Sequence, residues 1–432
     1  MSITSEQAYA HEIDVEFGLV ADRSRTAAHQ LAQVSTEDKN AALLRIADDL
    51  DSHAEDVIRA NRHDVDRARH NKVAESIIDR LTLNEERIAD IANQVRDVAG
   101  LPDPVGTEVR SFTAPNGLKI RQIRVPMGVI GMIYEARPNV TVDAAVLALK
   151  AGSAALLRGS SSALDSNQAL VHIMQMALSH TKVPSDAVQL VPGNTHESVN
   201  VMLKARGKVD LIIPRGGANL INSVVENSTV PVIETGVGNC TIYVDEAADL
   251  GMAADIVVNA KTQRVSVCNA AESLLIHKDV ADDFLPVILD KFAQTGVTVH
   301  GDEAVLAKAE GTGVSAAPAT DADWSTEYGS MDIAAKVVDS LDEAVEFIRE
   351  YSSGHTEAII TGSTEAADAF TNQVDSAAVL VNASTRFTDG GEFGFGAEIG
   401  ISTQKLHARG PMGLQEMTST KFVVLGDGHV RN

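Results

Sequence analysis

The chain has 432 residues, of which 44% are hydrophobic and 22% are charged, as expected for a globular protein with a large core. At about 150 residues per domain, this length predicts two or three domains. The formal net charge of -24 argues against nucleic acid and anionic membrane surfaces as partners. No run of about 18 apolar residues predicts a membrane span, and the acidic, polar start of the chain is unlike a secretory signal. We therefore expect a cytoplasmic protein.

The chain contains two cysteines, Cys240 and Cys268, which are too few for a disulfide framework. Neither Cys-x-x-Cys nor His-x-x-x-His spacing occurs, so no metal site is predicted.

The first predicted elements are helical and are followed by a hairpin. Apolar residues recur at helical spacing between Ser35 and Arg69, where Ser35 and Asp38 form a capping box. The stretch Val109–Val125 is different, because two β-rich runs flank an Asn-Gly turn and predict a hairpin. Such a hairpin is either an arm for self-association or a plain surface feature.

Short apolar runs then alternate with helical stretches, a pattern typical of parallel strands buried on both faces. The predicted strands are Val129–Ile133, Ala154–Leu157, Val188–Val191, Leu211–Ile213, Val230–Ile233 and Thr241–Val244. The predicted helices between them are Val142–Lys150, Asn167–Ser179 and Ala218–Glu226. This pattern predicts a doubly wound α/β domain.

A second series of the same kind predicts a second α/β domain. Its helices are Asp255–Lys261, Val280–Phe292, Leu341–Tyr351 and Ala366–Gln373, and its strands are Ser273–Ile276, Ala334–Val338, Ala358–Ile360 and Ala378–Val381. The stretch Val299–Glu327 is rich in Ala, Asp and Thr and is expected to be an irregular connection.

Three glycine-bearing turns follow predicted strands, where parallel sheets bind ligands. They are Arg158–Ser162, Pro192–Asn194 and Pro214–Gly217. None matches the dinucleotide or P-loop glycine fingerprint, but together they indicate a nucleotide site whose backbone N–H groups bind phosphate. Arg137, also after a strand, is a candidate for holding a carboxylate or phosphate.

Cys268 is the candidate nucleophile. It lies just past a helical stretch and close in sequence to Lys261 and Arg264, and nearby cations lower a thiol pKa and favour the reactive thiolate. A buried structural cysteine is the alternative, and we expect Cys240, at the start of an apolar run, to be of that kind.

Several segments resemble γ-glutamyl phosphate reductases, a family of the aldehyde dehydrogenase superfamily. They are Val125–Asn139, Leu211–Gly217, Asn259–Ala270, Gly354–Ala358, Gly394–Thr403 and Leu406–Gly413. The resemblance covers nearly the whole chain in the same order.

The resemblance implies an aldehyde dehydrogenase-like fold with two doubly wound α/β domains. Residues 1–106 and 126–250 would bind the cofactor, and residues 251–384 would carry the nucleophile. Residues 385–407 would return to the cofactor domain, and residues 107–125 with 408–432 would form an oligomerisation element. A homo-oligomer is therefore expected.

The resemblance also implies a reaction, the reduction of L-glutamyl 5-phosphate by NADPH to L-glutamate 5-semialdehyde and phosphate in proline biosynthesis. Cys268 would form a thioester, which hydride reduces. Substrate anions and the oxyanion would meet Arg137, Asn139 and Arg264. The cofactor would be held by Arg158, Ser160, Pro192, Gly193, Gly216, Gly217 and Glu327. Glutamate 5-kinase is a candidate partner.

Two other functions remain open on the sequence. The first is an oxidising NAD(P)-dependent semialdehyde dehydrogenase, in which Glu234 activates water to hydrolyse the thioester. In the reductase, Glu234 would instead face solvent or pair with a cation. The second is a catalytically silent scaffold for the kinase, against which the intact Cys268 segment argues.

Overall fold

The computed structural model describes residues 5–431, and side chains from residue 12 onward except that of residue 76. The chain forms two compact units. The first unit contains the chain up to Glu234, the segment Phe395–Ile399 and the chain from Met412 onward. The second unit contains Thr235–Gly394 and Gly400–Pro411.

The first unit contains nine helices and seven strands among the described residues. The helices are α1 Ser5–Leu31, α2 Thr36–Ser52, α3 Ala54–His70, α4 Glu75–Leu81, α5 Glu85–Gly100, α6 Asn139–Lys150, α7 Leu164–Leu178, α8 His196–Leu203 and α9 Ala218–Asn227. The strands are β1 Glu108–Thr113, β2 Lys119–Pro126, β3 Val129–Tyr134, β4 Ala154–Arg158, β5 Val188–Leu190, β6 Leu211–Arg215 and, near the C-terminus, β16 Thr418–Leu425.

Two sheets organise this unit. Strands β5, β4, β3 and β6 form a parallel sheet in that order, and every residue of β3 is buried. The predicted hairpin is present as β1 and β2, and β16 pairs antiparallel with β2. Gly117 has a φ of 89°, a left-handed conformation that the Asn-Gly turn supplies without strain.

The second unit is built on a seven-stranded parallel sheet in the order β10-β9-β11-β8-β7-β12-β13. The strands are β7 Cys240–Val244, β8 Ala271–His277, β9 Thr298–Gly301, β10 Ser315–Pro318, β11 Asp332–Val338, β12 Thr356–Ile360, β13 Ala378–Val381, and a separate pair, β14 Ile401–Ser402 and β15 Gly410–Pro411. The helices are α10 Leu250–Thr262, α11 Lys278–Thr295, α12 Glu303–Ala309, α13 Leu341–Tyr351 and α14 Thr364–Gln373.

Helices cover both faces of this sheet. On β7, Ile242 points into a core shared with Phe284 of α11, whereas Tyr243 points into a second core with Phe347 of α13 and Phe370 of α14. Alternate residues of a strand face opposite sides, so a strand buried on both faces must be apolar throughout. The predicted α/β fold class is confirmed.

Several predicted elements differ from the structure. The helix expected over Ser35–Arg69 is two helices, because the chain leaves the helical conformation at His53 (ψ 22°) before α3 begins. Ser35 nevertheless caps α2 as predicted, accepting the N–H of Asp38. The strand expected over Val230–Ile233 is reduced to one bridge at Val232, since Pro231 has no N–H to donate to a ladder.

The prediction that Val299–Glu327 is irregular is wrong. This stretch contains part of β9 together with α12 and β10. The sequence did not predict these strands because they are short and lie at one edge of the sheet, where Ser315–Pro318 has no buried residue.

The division of the chain also differs from the expected boundaries. It falls after Glu234 rather than at residue 250, because β7 pairs with β8 and β12 of the seven-stranded sheet. Most of the segment expected to return to the first unit belongs to the second, where Gly236 N–H donates to the Ile401 carbonyl.

Candidate active site

Cys268 lies in the loop between the end of α10 and the start of β8, and its side chain is half-buried. Cys268 forms no disulfide.

Gly238, just before β7, and Cys240, the first residue of β7, both contact the backbone of Cys268. A Cβ added to Gly238 would overlap the Cys268 carbonyl group, so only glycine fits there. Cys240 Sγ donates a hydrogen bond to the same carbonyl oxygen at 3.2 Å. Cys240 is fully buried, and this burial raises the pKa of its thiol well above the usual value. The expectation that Cys240 packs as a small apolar residue agrees with this position.

Asn269 ties the loop to a second segment, residues 385–388. Its side-chain Nδ2 donates to the carbonyl oxygens of Thr388 at 2.9 Å and Arg386 at 3.3 Å. Thr385 Oγ1 donates in turn to the Asn269 carbonyl at 2.7 Å. Hydrogen bonds therefore fix Asn269, the residue that follows Cys268, against the segment 385–388.

The two cations expected beside the thiol, Lys261 and Arg264, lie in different environments. Lys261 is fully buried and forms an ion pair with Glu272, with Nζ and Oε2 2.6 Å apart. Glu272 offsets this charge, and the expectation that Lys261 activates the thiol stays a prediction. Arg264 is exposed and stays available to an anion.

Arg386 is a cation near Cys268 that sequence reasoning missed. Its Nε donates to Gln263 Oε1 at 2.8 Å, and its charge acts on both Cys268 and Arg264. It follows β13 by five residues, so the only available signal was a lone arginine after a predicted strand.

Buried carboxyl groups surround Cys240. Burial raises the pKa of Glu357 to about 8 and that of Glu272 to about 7, although hydrogen bonds and Lys261 respectively oppose the shift. Glu357 accepts the backbone N–H of Thr241 at 2.7 Å. Glu327, the expected ribose ligand, accepts the N–H of Gly238 at 3.1 Å, so it also supports the segment that packs on Cys268.

In the first unit, Arg137 and Asn139 lie between β3 and the first turn of α6, and Arg137 is half-buried. Asn139 Nδ2 donates to Asp143 Oδ2 at 3.0 Å. This bond uses one of the two amide protons of Asn139 and orients the group, leaving the second proton for a ligand. Burial raises the pKa of Asp143 to about 6, while Asn139 and Arg215 oppose the shift.

Two of the three predicted glycine turns line one cleft of about 350 Å³ at the carboxyl ends of β4 and β5. It is lined by apolar and uncharged polar side chains beside Arg158, Pro192 and Gly193. Arg158 donates to Ser198 Oγ, to Thr195 O and to its neighbour Gly159 O, so it braces the cleft. Ser160, which lies between two residues that line the cleft, accepts the N–H of Ser162 at its Oγ.

The third turn is separate from this cleft, because β3 lies between β4 and β6. A Cβ on Gly216 would lie 2.7 Å from Glu135 Cδ, so this turn needs glycine to pass that side chain. Gly217 begins α9 as its N-cap. Glu234, the base of the oxidising alternative, is half-buried at the end of the first unit.

Among the described residues, one group of three carries ligand-type atoms within 4.8 Å of one another, namely Glu246, His277 and Asp279. His277 caps α11 by accepting the N–H of Asp279 at 3.2 Å, which accounts for its position without a metal. The expectation of no metal site stays a prediction. Within the same part of the chain, no helix has the length and apolarity needed to cross a membrane.

Comparison with known proteins shows the family. The model of the aldehyde dehydrogenase family matches residues 6–309. A γ-glutamyl phosphate reductase from Thermobifida fusca is 61% identical over 97% of this chain and 100% of its own length. One from Clostridium novyi is 53% identical over 95% of this chain and 98% of its own. This chain belongs to the γ-glutamyl phosphate reductases of the aldehyde dehydrogenase family.

Solved structures agree with this assignment. The crystal structure of a γ-glutamyl phosphate reductase from Thermotoga maritima superimposes with a TM-score of 0.94 at 50% identity, covering 96% of this chain and 100% of that one. An acetylating aldehyde dehydrogenase from Geobacillus thermoglucosidasius, at 16% identity and a TM-score of 0.69 over 98% of this chain and 99% of its own, shares the fold alone. The resemblance, the fold class and the oxidoreductase class are confirmed, and the oxidising alternative is not favoured.

Proposed function

We propose that the protein reduces L-glutamyl 5-phosphate to L-glutamate 5-semialdehyde and phosphate through a thioester on Cys268. The observation that carries this proposal is the half-buried Cys268 loop, held by Gly238, Cys240 and the segment 385–388, in a chain of the γ-glutamyl phosphate reductases. The step belongs to proline biosynthesis, as the names of the relatives imply.

The Cys268 thiolate attacks the acyl carbon, and a carbon–sulfur bond forms as the carbon–oxygen bond to phosphate breaks. The electron pair of that bond leaves with phosphate. After reduction, the thiohemiacetal collapses, the carbon–sulfur bond breaks, and Cys268 returns to thiolate as the aldehyde is released. Asn139 is the candidate donor to the oxyanion, because its second amide proton is available.

NADPH supplies, when bound, the hydride that reduces the thioester. The cleft beside Arg158, Pro192 and Gly193 fits a nucleotide, because it joins apolar walls to uncharged polar groups. We assign cofactor contacts to Ser160, Gly216, Gly217 and Glu327 as well, following the family pattern. The preference for NADPH over NADH is tested by comparing kcat/KM for the two cofactors.

A single assay tests the chemistry. NADP⁺ reduction with glutamate 5-semialdehyde is followed in the ultraviolet, with and without inorganic phosphate. We expect strict dependence on phosphate and loss of activity in Cys268→Ala. Steady turnover without phosphate would instead indicate hydrolysis of the thioester. Glu234→Gln is the matched variant, since it abolishes that turnover in an oxidising enzyme and leaves the phosphate-dependent rate unchanged in the reductase.

We also propose that the protein is a homo-oligomer assembled through the sheet β1-β2-β16. One face of this sheet carries apolar side chains in register, with Phe112 opposite Ile120 and Ile120 opposite Val424. Phe422 lies on the same face beneath the Arg110 guanidinium, and about half of its surface is exposed (53%). A second copy of the chain is the occupant that an isologous interface supplies.

The protein is also proposed to be cytoplasmic, because its two cysteines are free thiols and the cytoplasm keeps thiols reduced. Cell fractionation tests this location. Glutamate 5-kinase is proposed as a partner because its product is the labile substrate. A mixture of the two purified enzymes should sediment faster than either enzyme alone. Unchanged boundaries would contradict the association.

A further inference from the structure

We propose that Arg386, with Arg264, binds the phosphate group of the acyl phosphate while Cys268 displaces it. This inference rests on the proposed reaction and assigns the site that receives the leaving group. Both arginines and Cys268 belong to the second unit.

Arg386 is held close to the nucleophile through Asn269, the residue that follows Cys268. Asn269 is buried, donates to the Arg386 and Thr388 carbonyl oxygens, and accepts from Thr385 Oγ1. These three bonds fix the backbone of Arg386 relative to the Cys268 loop. A fixed backbone limits the conformational entropy that the arginine loses when it binds an anion.

The orientation of the side chain leaves its charge available. Nε donates to Gln263 Oε1, which fixes one edge of the guanidinium. Within residues 5–431, neither Arg386 nor Arg264 forms an ion pair with a carboxylate. Asp389 is the acid whose charge acts on Arg386, but its Oδ1 accepts the N–H groups of Gly391 and Glu392.

The positive charges of Arg264 and Arg386 repel one another, and a bound anion would offset this repulsion. Partial burial and the charge of Arg264 both lower the pKa of Arg386, whereas the Cys268 thiolate opposes that shift. The pair is notable in a chain with a formal net charge of -24, where most cations have acidic neighbours. An anion between the two guanidiniums removes their repulsion, and each guanidinium can offer paired N–H donors.

The phosphate is the part of the substrate that fits this position. Its bridging oxygen is bonded to the acyl carbon that Cys268 attacks. The α-carboxylate of a glutamyl group is separated from that acyl carbon by three carbons. A phosphate dianion also needs more positive charge than one carboxylate. Binding by two arginines stabilises the negative charge that phosphate carries away as the carbon–oxygen bond breaks.

The first experiment measures the reverse reaction at varied phosphate. We expect Arg386→Gln to raise the KM for inorganic phosphate by about tenfold, which corresponds to one charge-assisted contact. The KM for glutamate 5-semialdehyde should change less than about twofold. Arg386→Lys should recover part of the loss by restoring the charge. A rise in the KM for semialdehyde alone would overturn the proposal and assign Arg386 to the α-carboxylate.

Lys308→Gln is the matched control. Lys308 is an exposed cation of the same unit that pairs with Asp282 on a helix, so its loss changes the net charge equally. It should leave both KM values unchanged. An equal rise in this variant would attribute the effect to the overall charge and overturn the proposal.

A second readout needs no turnover. Inorganic phosphate should slow alkylation of Cys268 by iodoacetamide in the wild-type protein and fail to do so in Arg386→Gln. An unchanged circular dichroism spectrum and unfolding midpoint for Arg386→Gln show that the variant is folded. Protection that persists in Arg386→Gln would overturn the proposal but leave the reaction intact. The wild-type protein could instead turn over without phosphate while phosphate still protects Cys268 from alkylation. That result would overturn the proposed reaction and leave the anion site intact.

Discussion

Cys240 and Cys268 are connected by a hydrogen bond from the Cys240 thiol to the Cys268 carbonyl oxygen, 3.2 Å from Sγ to O. The one cysteine is buried within a strand and the other is half-buried in a loop. The buried thiol therefore acts as a support for the backbone that carries the reactive one.

Cys240→Ala removes this support. We expect a loss of about 1–3 kcal/mol in the free energy of unfolding, because a buried side chain is truncated and a carbonyl loses its donor. We also expect a several-fold fall in kcat, since the Cys268 backbone is less well held. Urea denaturation and steady-state rates measure the two effects. Cys240→Ser retains a donor and should keep a kcat closer to that of the wild type, and a wild-type kcat in Cys240→Ala would refute the supporting role.

Gly238→Ala should disrupt the same loop more strongly. The added Cβ would overlap the Cys268 carbonyl, and backbone atoms cannot move aside as a flexible side chain can. We expect kcat to fall by at least about 100-fold, because small displacements of a nucleophile are costly. Gly251→Ala is the control, since its Cβ would meet only the side chain of Asp249 at 3.3 Å. Similar rates for the two variants would show that the close approach has no catalytic importance.

Glu357 should give the protein a specific pH dependence of stability. Burial raises the pKa of this carboxyl from 4.5 to about 8, against the hydrogen bonds from Ser352, Thr241 and Ser376. A raised pKa in the folded state means that the group favours folding below its unfolded pKa and that this contribution is lost as the pH rises through about 8.

Glu357→Gln mimics the protonated carboxyl at every pH. We expect the variant to gain about 3–5 kcal/mol relative to the wild type as the pH is raised from about 5 to about 9. Its amide keeps acceptor and donor atoms for the Thr241 N–H and the serine hydroxyls. Chemical denaturation across this range measures the difference, and parallel stability curves for the two proteins would contradict the expectation.

Phe422→Glu should dissociate the proposed oligomer. The variant replaces an apolar ring that lies beneath Arg110 with a carboxylate, which must lose its hydration when the two copies associate, and this weakens the interface. Light scattering coupled to size-exclusion chromatography should show a lower mass. Lys421→Glu changes charge on the opposite face of the same strand, where Lys421 is paired with Ile123, and should keep the wild-type mass. If Phe422→Glu keeps that mass as well, the interface lies elsewhere.

The amino-acid sequence by itself determined the alternation of apolar strands with helices, the Asn-Gly hairpin, the family, and Cys268 as the residue to examine. These features are local or follow from segments in a recognisable order. Leu341–Tyr351 and Ala378–Val381 have the predicted ends. The helix is strongly amphipathic and begins after the cap Ser340, and the strand is a short apolar run.

The tertiary structure alone decided three other matters. It assigned β7 to the second sheet, because an apolar run fits either parallel sheet and its neighbours are far away in sequence. It placed Lys261 in a buried ion pair with Glu272, a partner that the sequence had not suggested. It also brought Arg386 beside the Cys268 loop, although Arg386 lies 117 positions after Asn269 in the chain. Charges act through space and not along the chain, so their partners are known only after the strands have been ordered.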